Sequence, residues 1–210
     1  MWGVWKSVRA YREDPEWQYR KRESRDWVKA FGVPGHPFGP RGNHVKHVLE
    51  GRVRGYEATL FHLAAVHQGG RHPTDVSMYA VAVLTLPGRL PATSASVASL
   101  VRWLGTEPLP PRAGTPVHLP SRHKPRMVTC SVDPAFAERV LTEQVIRMTA
   151  DATMGWRLHE DRMIGWIKDH QPYERLIALA ETMAEILAEF PASVWQQGPT
   201  GQEREERQAR

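Results

Sequence analysis

The run "VSMYAVAVLTL", residues 76–86, is apolar on both of its alternating sides. Successive side chains of a strand point to opposite faces of a sheet, so this run belongs in the middle of a sheet and not at its edge. Its neighbours follow from the preceding residues. "HVKHVLEGR" and "YEATLFHLAAV" read as two strands flanking a turn at Arg54-Gly55, where glycine tolerates a positive φ. "QGGRHPTD", 68–75, is a second loop. Three strands joined in chain order by short loops make an antiparallel meander. Within it, Tyr56, Ala58, Leu60 and His62 share one face, which is core patterning with a polar tip; Glu57 lies on the other.

The remainder fills in around that meander. A Pro- and Gly-punctuated stretch follows residue 86, with a short helix expected over 97–105 and a strand over 126–132. "DPAFAERVLTEQVIRM" reads as a helix capped by Asp133, with Pro134 in its first turn. Phe136, Val140, Leu141, Val145 and Met148 form its apolar stripe. "GWRLHEDRMIGWIKD", 155–169, reads as a hairpin turning near Glu160-Asp161, with Trp156 and Leu158 lying across from Ile164 and Trp166. The strongest helical pattern is "PYERLIALAETMAEILAEF", which sets Tyr173, Leu176, Ile177, Ala180, Met183, Ala184 and Leu187 on one side and is stopped by Pro191. The expected class is therefore α+β: a predominantly antiparallel sheet with two main helices packed on it and an irregular, Trp-rich N-terminal segment.

The segments divide as a basic, Trp-rich helical stretch at 1–30 and a Gly/Pro-rich connection at 31–43. A single α+β domain follows at 44–195, then a disordered tail at 196–210. Within the first stretch, 2–12 form a short helix that Pro15 ends or interrupts. No apolar run approaches the roughly 18–20 residues that span a bilayer. The first residues lack the uninterrupted apolar stretch and cleavage site of a secretory signal. Cys130 is the only cysteine, which excludes an internal disulfide and fits a reducing cytoplasm.

The formal charge of +5 bears on partners. Two basic segments supply a candidate anion-binding surface: Arg20, Lys21, Arg22 and Arg25 in the first, Arg122, Lys124 and Arg126 in the second. Ten histidines invite a metal reading. His44 and His47 form H-x-x-H, yet residues three apart on a regular strand point to opposite faces. No H-E-x-x-H arrangement or cysteine pair is present, so no metal ligands and no cofactor are assigned. No nucleophile elbow, phosphate loop or dinucleotide fingerprint occurs, so no catalytic residues are assigned either. One loop cluster remains as a candidate enzymatic site, built from His67, Arg71, His72, Asp75, His118 and His123.

"PFG" at 37–39, "HVLEGRVRGYEATLF" at 47–61, "YAVAVLTLPGRLP" at 79–91, "VDPAFAERVL" at 132–141, "GWRLHEDRMIGW" at 155–166 and "EFPASVW" at 189–195 succeed one another in order. Over residues 38–195 the chain resembles a family of uncharacterised actinobacterial proteins. The resemblance implies an α+β domain of unassigned activity, with no catalytic residues to carry over. Some relatives place a membrane-spanning segment near this domain. Relatives also tend to carry a Pro-Arg-Met-Met-like patch in the helix after "DPAFA", where this chain reads "LTEQVIRMTA".

The reading these features favour is a non-catalytic interaction domain that presents loops at 31–43, 68–75 and 106–125 to a protein partner. The alternatives are an enzyme assembled from the loop histidines, or peripheral binding to nucleic acid or an anionic membrane through the basic segments.

Overall fold

A computed structural model describes residues 2–24, 26–31, 35–39, 42–67, 75–101, 115–116 and 127–195. Its strands are β1 (Gln18–Arg22), β2 (Gly42–Val53), β3 (Tyr56–His67), β4 (Asp75–Thr85), β5 (Thr93–Val97), β6 (Thr115–Pro116), β7 (Met127–Ser131), β8 (Gly155–His159) and β9 (Arg162–Lys168). They form one antiparallel sheet in the order β1-β2-β3-β4-β9-β8-β5-β7-β6. The expected meander is β2-β3-β4, turning at Arg54-Gly55, where both residues take a positive φ (48° and 88°). The late hairpin β8–β9 is inserted between β4 and β5, so the sheet is completed only when the end of the domain returns to its middle.

Both faces of that sheet are covered. Ala80, Ala82 and Leu84 of β4 enter one core together with Ala58 and Leu60 of β3, Trp156 and Leu158 of β8 and Met163 of β9. Over this face lie α1 (Trp2–Arg12), α3 (Pro134–Val140), α4 (Glu143–Asp151), α5 (Tyr173–Ala188) and α6 (Ala192–Trp195). Helix α5 crosses β2, β3, β4 and β9. Its Met183 side chain packs directly on Gly165 of β9, where an added Cβ would stand 2.4 Å from Met183 Sδ. The alternate residues Tyr79, Val81 and Val83 enter a second core with Phe61, Leu63, Ile164 and Trp166. A 3-10 turn, Trp27–Phe31, covers part of this face, stacking Phe31 on Phe38 and Phe61. Two arginines of the late hairpin hold it there. Arg157 Nη2 donates to the Phe31 carbonyl at 2.5 Å with its guanidinium over the Phe38 ring, and Arg162 donates to the Ala30 carbonyl.

The structure departs from the sequence pattern in four places. The basic stretch 18–22, expected as part of a helical segment, is the edge strand β1; pairing with β2 overrides its weak periodicity. β5 was hidden by its polarity, because Thr93, Ser94 and Ser96 are fully buried. Thr93 Oγ1 satisfies itself on Ser131 Oγ at 2.7 Å, and Ser131 Oγ also bonds Asp133. The helix expected from Asp133 through Met148 is two. Asp133 caps α3 as expected, and Thr142 then starts α4 by accepting from the Val145 amide at 3.3 Å. Finally, the two-residue turn of the late hairpin pairs Trp156 with Gly165 and Leu158 with Met163. Trp156 and Leu158 therefore face the helical core, while Ile164 and Trp166 face the other. The short helix expected at 97–105 begins as α2, Ala98–Val101; its remaining residues, and the tail at 196–210, lie outside the described residues.

Gly155 provides a test of this packing. A Cβ there would sit 2.4 Å from the Trp166 ring and 2.6 Å from Ser96 Oγ. Gly155→Ala is expected to lower stability by about 1–3 kcal/mol through overpacking. Gly88→Ala, with nothing within 4 Å of the added methyl, should show no such loss in urea denaturation.

Candidate functional site

Where α1, β1, β2 and α5 meet, polar side chains converge at a flaw in the sheet. The pairing of β2 with β3 runs Lys46↔His62 and then Leu49↔Leu60, so His47 and Val48 together face the single residue Phe61. This is a β-bulge, and His47 takes φ 53° within it. The bulge breaks the alternation on which the separation of His44 from His47 rested. Val45 and Val48, three apart, both enter the second core. The His47 ring turns instead to the helical side, 5.8 Å from the His62 ring.

Each neighbouring element contributes a partner. Tyr19 of β1 sets its hydroxyl 2.8 Å from His47 Nδ1. Tyr173, the first residue of α5, donates its hydroxyl to the His47 carbonyl, a main-chain acceptor that the bulge removes from the regular ladder. Ser7 of α1 closes the arrangement: it accepts from the Tyr173 amide and donates to Glu174, both at 2.8 Å. His62, fully buried, has Nε2 2.7 Å from the Gln171 carbonyl, and the His170 ring lies 4.8 Å from the His62 ring.

Electrostatics keep the imidazoles and phenols of this cluster uncharged near neutral pH. Burial is the main cause pulling His62 down to about 4, helped by His170 and His47 and opposed by its bond to Gln171. His47 is lowered by burial and then by His170, Lys46, Lys21 and Arg22. Burial also lowers His170 and raises Tyr11, Tyr19 and Tyr173. His62 Nε2 therefore donates to Gln171, and its Nδ1 carries a lone pair that meets no hydrogen-bond partner, as does His170 Nε2. Among the described residues no group of three or more His, Cys, Asp or Glu side chains could hold a metal ion. Neutral rings bonded to main-chain carbonyls act here as a latch joining the bulge to the start of α5.

The sequence-based candidates fall elsewhere. His67 and Asp75 are register partners closing the β3–β4 hairpin. Arg71, His72, His118 and His123 lie outside the described residues, as do Arg25, Arg122, Lys124 and Arg126. Arg20, Lys21 and Arg22 are exposed on β1, where Arg20 pairs with Glu23 and Glu50. The latch itself escaped sequence reasoning. His62 was legible as a core position, but nothing in the chain marks a bulge at His47, and residues 19, 47, 62, 170 and 173 converge only in space.

Fold and latch together define a class: an open antiparallel α+β sheet layered on both faces. No family model matches the chain, and no curated protein does. A solved structure with the same fold is the crystal structure of the mycobacterial trehalose monomycolate transport factor A, TtfA, at a TM-score of 0.61 and 11% sequence identity. The match covers 90% of this chain and 97% of that one, so the two share their architecture over nearly their whole lengths. Among the described residues no helix is long and apolar enough to cross a membrane.

Two outcomes are expected of the latch. The unfolded chain takes up protons as pH falls through 6.5, whereas folded His62 resists until about 4. Stability is therefore complete above 6.5 and declines between those values, His62 contributing at most about 3 kcal/mol of the loss. Urea midpoints taken at intervals from pH 7.5 to pH 4 should show the decline, and His62→Gln should flatten it. Tyr173→Phe removes the donor to the His47 carbonyl and should cost about 1–3 kcal/mol, with faster amide exchange around the bulge than elsewhere in β2.

Proposed function

We propose that this chain is a non-catalytic interaction domain, an accessory protein that works by holding a protein partner. The observation that carries the reading is the latch: its neutral imidazoles and phenols hold a sheet bulge to a helix instead of facing a substrate. The shared architecture with a transport factor supports the same direction, and we extend it to a partner belonging to a transport assembly of an actinobacterial cell. The reading includes a cytoplasmic location, supported by a single cysteine, and membership in the actinobacterial family that the motif succession resembles. A loop-built enzymatic site is the second reading, favoured by the direct register pairing of His67 with Asp75.

The test is native mass spectrometry on the full chain purified from its own host, alongside cross-linking before lysis. The expected result is the bare chain mass for the purified protein and, after cross-linking, one protein partner recovered at constant stoichiometry. A metabolite or metal retained at one equivalent would overturn the reading in favour of a ligand-binding or catalytic site.

A further inference from the structure

β1 is the outermost strand at its end of the sheet, and among the described residues no strand lies beyond it. Four of its five residues are exposed, and it contains no proline, so among the described residues nothing pairs with its outward edge as a strand. Arg20 is neutralised by Glu23 and Glu50. Lys21 and Arg22 are not: among the described residues neither meets a carboxylate. Neither does Lys46 on the adjacent strand, which is exposed and is the direct Cα partner of Arg22. Like charges directly opposite one another repel, so the free protein maintains an unfavourable pair beside an open edge. The field of Lys46, Lys21 and Arg22 also reaches His47 in the bulge.

We propose that the β1 edge is a docking site for an extended acidic segment of a protein partner, which adds as a further strand with its carboxylates beside Arg22 and Lys46 on one face and beside Lys21 on the other. Main-chain pairing to the open edge supplies affinity, and the cations supply the choice of partner. The same cations argue against a second copy of this chain as the occupant, because edge-to-edge pairing of two β1 strands would bring two basic strands together. The proposal rests on the interaction-domain reading and names the chemistry of the partner.

The probe is an acetylated, amidated peptide of repeating Glu-Glu-Thr, about eight residues long to span an edge strand, so that its carboxylates reach both faces. It is compared with its form N-methylated at alternate amides and with a Lys/Thr counterpart. Binding to the full chain is followed by fluorescence anisotropy, and amide exchange is measured with and without peptide. The acidic peptide should bind, weaken with added salt, and slow exchange at residues 18–22. Roughly tenfold weakening is expected for the N-methylated peptide and for Lys21→Glu/Arg22→Glu. Arg89→Glu, an exposed charge far along the chain, should bind as the parent does. Lys21→Gln, which keeps the fold at less risk, should give a smaller loss in the same direction. Equal binding of the N-methylated or Lys/Thr peptide, no slowing at 18–22, or capture by phosphatidylglycerol vesicles without peptide binding would each overturn the proposal. Indifference to the acidic peptide while a protein partner still cross-links would sink this edge and leave the interaction-domain reading standing.

Discussion

Everything in this structure depends on the centre of β4, Tyr79 to Leu84, having no solvent face. A strand buried on both sides must have a layer above and a layer below, and the rest of the chain is distributed to supply them. Helix α5, with α1, α3, α4 and α6, covers Ala80, Ala82 and Leu84; the aromatic side chains of residues 27–38 help cover Tyr79, Val81 and Val83. Small residues on the helical side of β4 let α5 come close, and Gly165 extends that approach across β9. The bulky side chains lie on the opposite face, where the covering segment is thinner and irregular.

That two-sided burial explains the cost of the polar groups inside. Arg157 is fully buried at the centre of the late hairpin, where burial alone lowers its proton affinity. It is accommodated because a main-chain carbonyl accepts from it and the Phe38 ring lies beneath its charge. Thr149 plays a similar part on the other face, accepting from the Trp156 indole at 2.9 Å while donating to the Val145 carbonyl at 2.8 Å. Arg157 and Thr149 each tie a covering segment to the sheet, so the layers are held in register by hydrogen bonds as well as by apolar contact. The latch at His47 follows the same logic at the margin, where α1, β1 and α5 have less apolar surface to share.

Much of the architecture was legible from alternation alone. β2, β3, β4, the late hairpin and α5 all carry a period that matches their geometry, and Asp133-Pro134 marks a helix start through local chemistry that needs no distant partner. What escaped was of two kinds. β1 and β5 lack an apolar signature, since one is an exposed basic edge and the other buries serines, and only pairing with neighbours makes them strands. The break at Leu141-Thr142 lay inside an unbroken apolar stripe, so periodicity concealed a cap that the Thr142 side chain supplies. The candidate site was the least legible part, because its side chains come from five separate segments.

The chain by itself determined that a sheet would form with a strand at its centre and an amphipathic helix against it, because burial of alternating apolar side chains is a local pattern with one favourable outcome. Tertiary structure alone decided where the late hairpin enters the sheet, that β2 bulges at His47, and that Lys46 faces Arg22 beside an open edge. Those outcomes turn on the register between strands distant in sequence, and a shift of one residue would send each of these side chains to the other face.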